Sequence, residues 1–445
     1  MLNKSPLLLL LLATLASAAP EATKDDNPTP AVAEESAAEG SGSTRAAPSL
    51  SASGGSGSTR AVPSLSASSS KEVAPAAPNP AEGSGSTRAA PSLSASGGSG
   101  SAQQKSAPDE TTAARLAEAK AAYKNQEYDQ ARELWQPLAE AGNADAQNNL
   151  AILYIKGQGV AQDYAQARQW FEKAATAGHV KAQSNLGLMY ERGQGVERDY
   201  VQAREWFEKA AATGHPQAQV HLGYLYDEGL GVPQDYARAR EWYEKAAAGG
   251  NDDALFNLGL LYRNGKGVEQ DYSQALEWFE KAAAAGSAKG KNNVGLAYEE
   301  SQGVPKDLAR ARQWYEQAAE AGSLIGQTNL GRFYRDGLGG EQDYAKARQW
   351  FEKAAAAGHP PAQFHLGALY EKGQGLTKDY GQARQWYEKA AEAGLAKAQY
   401  SLGSLYEDGL GVAADPAKAR EWYEKAAAQG HENAREALRR LPAQN

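Results

Sequence analysis

A glycine pair, a set of histidines and a double aspartate have types and spacings that could do chemistry. Gly229 and Gly231 stand two apart, ahead of Asp235 and a helical run. Glycines just before a helix can cradle a phosphate. That chemistry needs a strand before the glycines and a lysine or third glycine after them, and neither is present. Asp235 also sits at the positive end of the following helix, where it would repel an anion. The six histidines raise metal binding. His221 and His365 lie six residues after His215 and His359. Six helical steps turn the chain by about 240°, so the rings of each pair point apart and cannot share an ion. His179, His215, His359 and His431 fall in turns between units and read as turn or capping residues. Asp252 and Asp253 read as charge at a helix start. The Glu–Lys pairs of "WFEK" and "WYEK" recur along the chain and read as exposed helix charge. No serine sits in a nucleophile elbow. No enzymatic activity, cofactor or metal is therefore expected.

The elements that carry these residues are repeated. From 143 to 430 the sequence repeats every 36 residues, eight times. Units open at Asn143, His179, His215, Asn251, Ser287, Ser323, His359 and Leu395, each taken as position 1. Each unit reads as two helices. A glycine ends the preceding unit (Gly178, Gly214, Gly250), and Pro216 and Pro360 stand at first helical positions. An Asp at position 21 (Asp163, Asp235, Asp415) reads as the N-cap of the second helix. The glycine pair thus joins two antiparallel helices, and its first member is expected in a left-handed cap. Ser301 replaces that glycine in one unit, where a strained or differently shaped turn is expected.

The pattern A-Q-x-x-L-G-x-x-Y-x-x-G-x-G-V-x-x-D-Y-x-x-A-x-x-W-[FY]-E-K-A-A-x-x-G resembles the Sel1-like repeat, a longer relative of the tetratricopeptide repeat. The resemblance implies an all-α chain forming a right-handed αα solenoid that works as an adaptor in protein complexes. It implies an envelope or secreted location for bacterial members. Some members carry a disulfide in each repeat; this chain has no cysteine. Residues 113–142 read as a shorter N-terminal capping hairpin, with Trp135 one place off the tryptophan register, and 431–445 as a C-terminal capping helix. Arg439 stands where other units carry a glycine, which would stop further stacking.

Comparing copies within the chain separates scaffold from candidate contact residues. Leu at 8, Gly at 9, Tyr at 12, the Ala positions, Trp at 28 and Phe or Tyr at 29 hardly change and read as packing. Positions 3, 6, 10 and 13 vary and share one face of the first helix. In related solenoids that face lines a concave groove. Leu188, Val220, Tyr224, Phe256 and Leu260 fall in three neighbouring units and form a candidate apolar patch, with Arg263, Arg332, Arg335, Phe364 and Tyr400 further along. The expected ligand is a protein or peptide segment with hydrophobic anchors and a carboxylate. The competing reading is that these side chains pack within the solenoid's own curvature. Two other functions stay open: an envelope enzyme or binding module for peptidoglycan or polysaccharide, and a structural spacer.

The remaining sequence concerns location. Lys4, the leucine run 7–12 and the small-residue site Ala16-Ser17-Ala18 read as an export signal over 1–18. Its apolar run falls short of the roughly 20 residues that span a bilayer. Residues 19–112 are rich in Ser, Gly, Ala and Pro and read as a disordered leader. A fourteen-residue unit recurs in it from Gly40, Gly55 and Gly83, either as a spacer or as three weak docking motifs. A net charge of −8 argues against nucleic acid and anionic membranes as partners. A periplasmic or secreted monomer without membrane insertion is expected.

Overall fold

The structure, a computed structural model, describes residues 110–441. The export signal, nearly all of the leader and the last four residues lie outside the described part. Among the described residues there are 19 helices and no strand. A hairpin of α1 (Glu110–Lys124) and α2 (Tyr128–Glu140) comes first. Four helix pairs follow: α3/α4 (Ala144–Lys156, Tyr164–Thr176), α5/α6 (Val180–Arg192, Tyr200–Ala211), α7/α8 (Pro216–Glu228, Tyr236–Ala248) and α9/α10 (Asp252–Asn264, Tyr272–Ala284). Four more complete the series: α11/α12 (Ala288–Glu300, Leu308–Glu320), α13/α14 (Leu324–Asp336, Tyr344–Ala356), α15/α16 (Pro360–Lys372, Tyr380–Glu392) and α17/α18 (Ala396–Asp408, Pro416–Ala428). A final helix, α19 (Glu432–Arg440), packs on α18. Each helix packs on the next, which makes a helical solenoid. Beyond these consecutive pairs, the firmest contacts join α9 to α11 and α11 to α13. These are all first helices, so around α11 the first helices of neighbouring units approach one another.

Local chemistry sets the helix ends. The Asp235 carboxylate accepts from the Arg238 amide at 3.0 Å, and Asp163 accepts from two amides at the start of α4. Three histidines do the same with ring nitrogens: Nδ1 of His179, His215 and His431 accepts from the amide three residues on. Gly229 closes α7 in the left-handed conformation at φ 68°. Ser301 closes α11 in that same conformation, φ 62° and ψ 37°, with its hydroxyl donating to the Val304 carbonyl. The turn therefore keeps the shape of its glycine counterparts and holds a serine in a region that disfavours side chains.

The core is built from an aromatic at position 29 set against a glycine at position 9. A Cβ on Gly223 would lie 2.6 Å from the Tyr243 ring, and the same holds for Gly187 against Phe207 and Gly331 against Phe351. Alanines at positions 25 and 32, such as Ala239 and Ala246, are fully buried beside them. Trp135 is buried at the place of Phe171, one unit earlier, so its offset marks a different role from that of the repeat tryptophans. Those tryptophans are mostly half-buried, and a lysine ammonium caps seven of the eight rings. Lys245 stands 3.9 Å from the Trp242 ring centre and Lys209 stands 3.7 Å from that of Trp206. The lysine of each "EK" is thus engaged in a cation–π contact of about 0.5–1 kcal/mol.

Candidate partner-binding face

The glycine turn can be settled first. The Leu230 amide donates to the Leu225 carbonyl, the Asp235 amide to the Tyr226 carbonyl, and the Gln234 side chain to the Asp227 carbonyl at 2.7 Å. The loop amides that would cradle a phosphate already close the helix, so the turn is scaffold. Among the described residues no group of His, Asp and Glu could hold a metal ion.

The varying face of the first helices divides into three kinds of residue. Leu188, Val220 and Phe256 are buried, 5–6% exposed. Leu188 and Val220 belong to a core around Phe207 and Tyr243, and Phe256 tilts against Phe279 at 5.7 Å. These three offer almost no surface to a partner. Tyr224, Leu260, Phe364 and Tyr400 are half-buried and present part of their surface. Phe364 lies against Tyr387, and Tyr400 stacks on His431 at 4.8 Å.

The arginines form the third kind, and each is held by the solenoid itself. Arg263 is buried and donates to Asn293 at 2.7 Å. Arg332 grips both oxygens of Glu299 at 2.7 and 2.8 Å. Arg335 forks onto Asp336 and donates to Nδ1 of His365 at 3.1 Å. Burial, then the Arg335 charge, pushes the His365 imidazole down to about 3. His221 is a structural ring too, stacked on Phe207 and bonded to Glu191 at 3.1 Å.

Position 13 varies for an internal reason that sequence reading missed. Where position 29 is tyrosine, position 13 is a carboxylate: Asp227 with Tyr243, Glu299 with Tyr315, Glu371 with Tyr387, Glu407 with Tyr423. In three of these pairs the phenol donates to the carboxylate at 2.5–2.6 Å. In the fourth, Asp227 takes Lys266 at 3.2 Å. Burial, with the neighbouring carboxylate second, pushes the hydroxyls of Tyr243 and Tyr315 well above the ordinary phenol range. Where position 29 is phenylalanine, position 13 is Ile155, Glu191, Arg263 or Arg335. The covariation between positions 13 and 29 was present in the copies as a readable signal.

A family model described as the Sel1 repeat matches eight consecutive segments: 144–179, 180–215, 216–251, 252–287, 288–323, 324–359, 360–395 and 396–431. The chain belongs to the Sel1 repeat family. No curated protein matches it at a significant level. Among solved structures, it is similar to a protective antigen present in uropathogenic Escherichia coli strains displaying an SLR fold, at 40% identity and TM-score 0.54. That match covers 69% of this chain and 66% of the other, just under two thirds of the antigen's length. It is also similar to a Sel1 repeat protein from Oxalobacter formigenes, at 32% identity and TM-score 0.51, covering 70% of this chain and 90% of that one. Sel1 repeat solenoids are a protein–protein interaction fold and in general a non-enzymatic scaffold. Among the described residues no helix is long and apolar enough to cross a membrane.

Proposed function

We propose that this Sel1 repeat protein is exported to the bacterial periplasm or beyond and works as a monomeric adaptor. It holds a segment of a partner protein along the face of its first helices. The observation that carries this reading is the row of half-buried apolar side chains, Tyr224, Leu260, Phe364 and Tyr400, at positions where the copies disagree. A surface that recognises one extended segment varies such partly exposed positions from unit to unit. The arginines at 263, 332 and 335 shape this face and do not anchor the ligand, because their donors are engaged within the solenoid.

The test is crosslinking and affinity capture from the native envelope, comparing the wild-type chain with a Tyr224→Ser/Leu260→Ser variant. Both side chains are half-buried, so the variant keeps the core intact. Loss of the captured partner is expected. Unchanged capture by a folded variant sinks the adaptor reading and favours a structural spacer, which the internal pairing of the arginines would also suit.

A further inference from the structure

The described surface carries a basic recess on a chain of net charge −8. It is a cavity of about 250 Å³ at the start of the solenoid, walled by α1, α3 and the beginning of α5. Lys120 and Lys124 enter it from one face of α1, four residues apart, and Lys181 enters from α5. All three are exposed and form no hydrogen bond or ion pair with a described side chain. One carboxylate, Asp145, shares the rim. It is bonded to Nε2 of His179 at 3.0 Å, and that bond first, then the His179 charge and those of Lys120 and Lys181, hold it below the usual carboxylate range against the opposing effect of burial. Three lysines against one engaged carboxylate leave the recess positive.

Its floor is polar and incomplete. Asn148 and Asn149 line it and are 4% and 8% exposed. In two other units the asparagine at position 7 donates to position 6 of the preceding unit, Asn185 to Asn148 at 3.3 Å and Asn329 to Asn292 at 3.0 Å, while Asn293 donates to the Lys289 carbonyl of its own helix. Asn149 has no such acceptor. Counting back from the left-handed residue that ends each first helix, Gln126 in the hairpin and Gly157 in the first unit, Ala117 stands where Asn148 stands. The Asn149 oxygen accepts from Asn148, and its amide nitrogen donates to nothing among the described residues. The Asn149 residue is nine-tenths buried and lines the recess, so its amide nitrogen is a donor held beside the three ammonium groups and open to a ligand.

We infer that this recess is a carboxylate site, and that it seats an acidic segment of the partner protein at the N-terminal end of the first-helix face. A carboxylate oxygen meets the Asn149 amide while the lysines neutralise its charge. The recess suits phosphate less well. It has no arginine fork, and the helix-start amides beside it, those of Ala146 and Ala182, are taken by Asn143 and His179. This inference rests on the adaptor reading and assigns the end of the groove where the partner's acidic part lies.

The experiment measures binding of a fluorescent pentaglutamate peptide to the full chain at low salt, with a pentaserine peptide as control. Lys120→Glu/Lys124→Glu is expected to weaken pentaglutamate at least about tenfold, as loss of close complementary charge does. Asn149→Asp, which keeps the shape and turns the donor into an acceptor, is expected to do the same. Lys289→Glu, at the position of Lys181 in a distant unit, is expected to change nothing. Equal loss in Lys289→Glu, no loss in the α1 variant, or tighter binding of inorganic phosphate than of the peptide overturns the proposal. The Tyr224→Ser/Leu260→Ser variant should bind pentaglutamate like wild type. Failure of the recess with capture still dependent on Tyr224 and Leu260 leaves the adaptor reading standing.

Discussion

Gly229 and Gly231 stand two residues apart and share a left-handed backbone, φ 68° and 64°. Their replacement by alanine separates backbone strain from packing between units. An alanine in this conformation costs about 1–2 kcal/mol, and the lost entropy of the unfolded glycine returns about 0.4–1. Both variants should therefore lose about 1 kcal/mol on backbone grounds alone. What the new Cβ meets differs. At 229 it would lie 3.1–3.2 Å from Gln234 in the same loop, which can give by a few tenths of an ångström. At 231 it would lie 2.6 Å from the Tyr200 carbonyl carbon and 2.8 Å from the Val201 nitrogen, the backbone that opens α6 in the preceding unit. Overpacking of that kind adds about 1–3 kcal/mol, so Gly231→Ala should cost about 2–4 kcal/mol in all. The contact also crosses the seam between neighbouring units. A solenoid's stability is a sum of unit terms and neighbour terms, and weakening one neighbour term splits the unfolding into parts. Urea unfolding followed by tryptophan fluorescence should show a single transition for Gly229→Ala. Gly231→Ala should give a broadened or two-step curve. Equal losses with equally sharp transitions would refute the assignment of Gly231 to the seam.

Other outcomes follow from the same contacts. The folded state keeps His365 neutral down to about 3, while the unfolded ring takes a proton below about 6.5, so its contribution is intact above about 6.5 and is lost as pH falls toward 3. Unfolding free energies from urea titrations between about pH 5 and pH 7 should fall less steeply for His365→Asn than for wild type, by up to about 1.4 kcal/mol per pH unit; parallel slopes contradict the burial of a neutral ring. Tyr315→Phe removes a donor to Glu299 and should cost about 1–2 kcal/mol, and a double-mutant cycle with Glu299→Gln should show coupling near 1 kcal/mol. Asp235→Ala should cost about 1 kcal/mol through its lost cap, measured by the same unfolding curves.

The repeat, the two helices per unit and their ends were legible because glycine, proline and aspartate act through local backbone geometry. Gly229 before Asp235 marks a turn whatever surrounds it. The face that meets a partner was less legible, and position 13 shows why. Glu371 and Arg335 differ between copies, which looks like freedom to recognise a ligand. The difference follows the residue at 29, sixteen places on: Tyr387 offers Glu371 a hydroxyl, and Phe351 offers Arg335 none. Burial also escaped the pattern. Val220 and Phe256 are buried while Phe364 and Tyr400 at the same position 6 are half-buried, so position in the repeat alone does not fix how far a side chain is covered.

The basic recess was beyond sequence reading for a related reason. It needs α1, which lies outside the repeat, to stand beside α3 without an asparagine at 117. Variation among copies thus has two sources, a neighbour inside the solenoid and a ligand outside it. Separating the two is what turns Tyr224, Leu260 and Asn149 from positions that merely vary or line a recess into positions that the binding experiments can test.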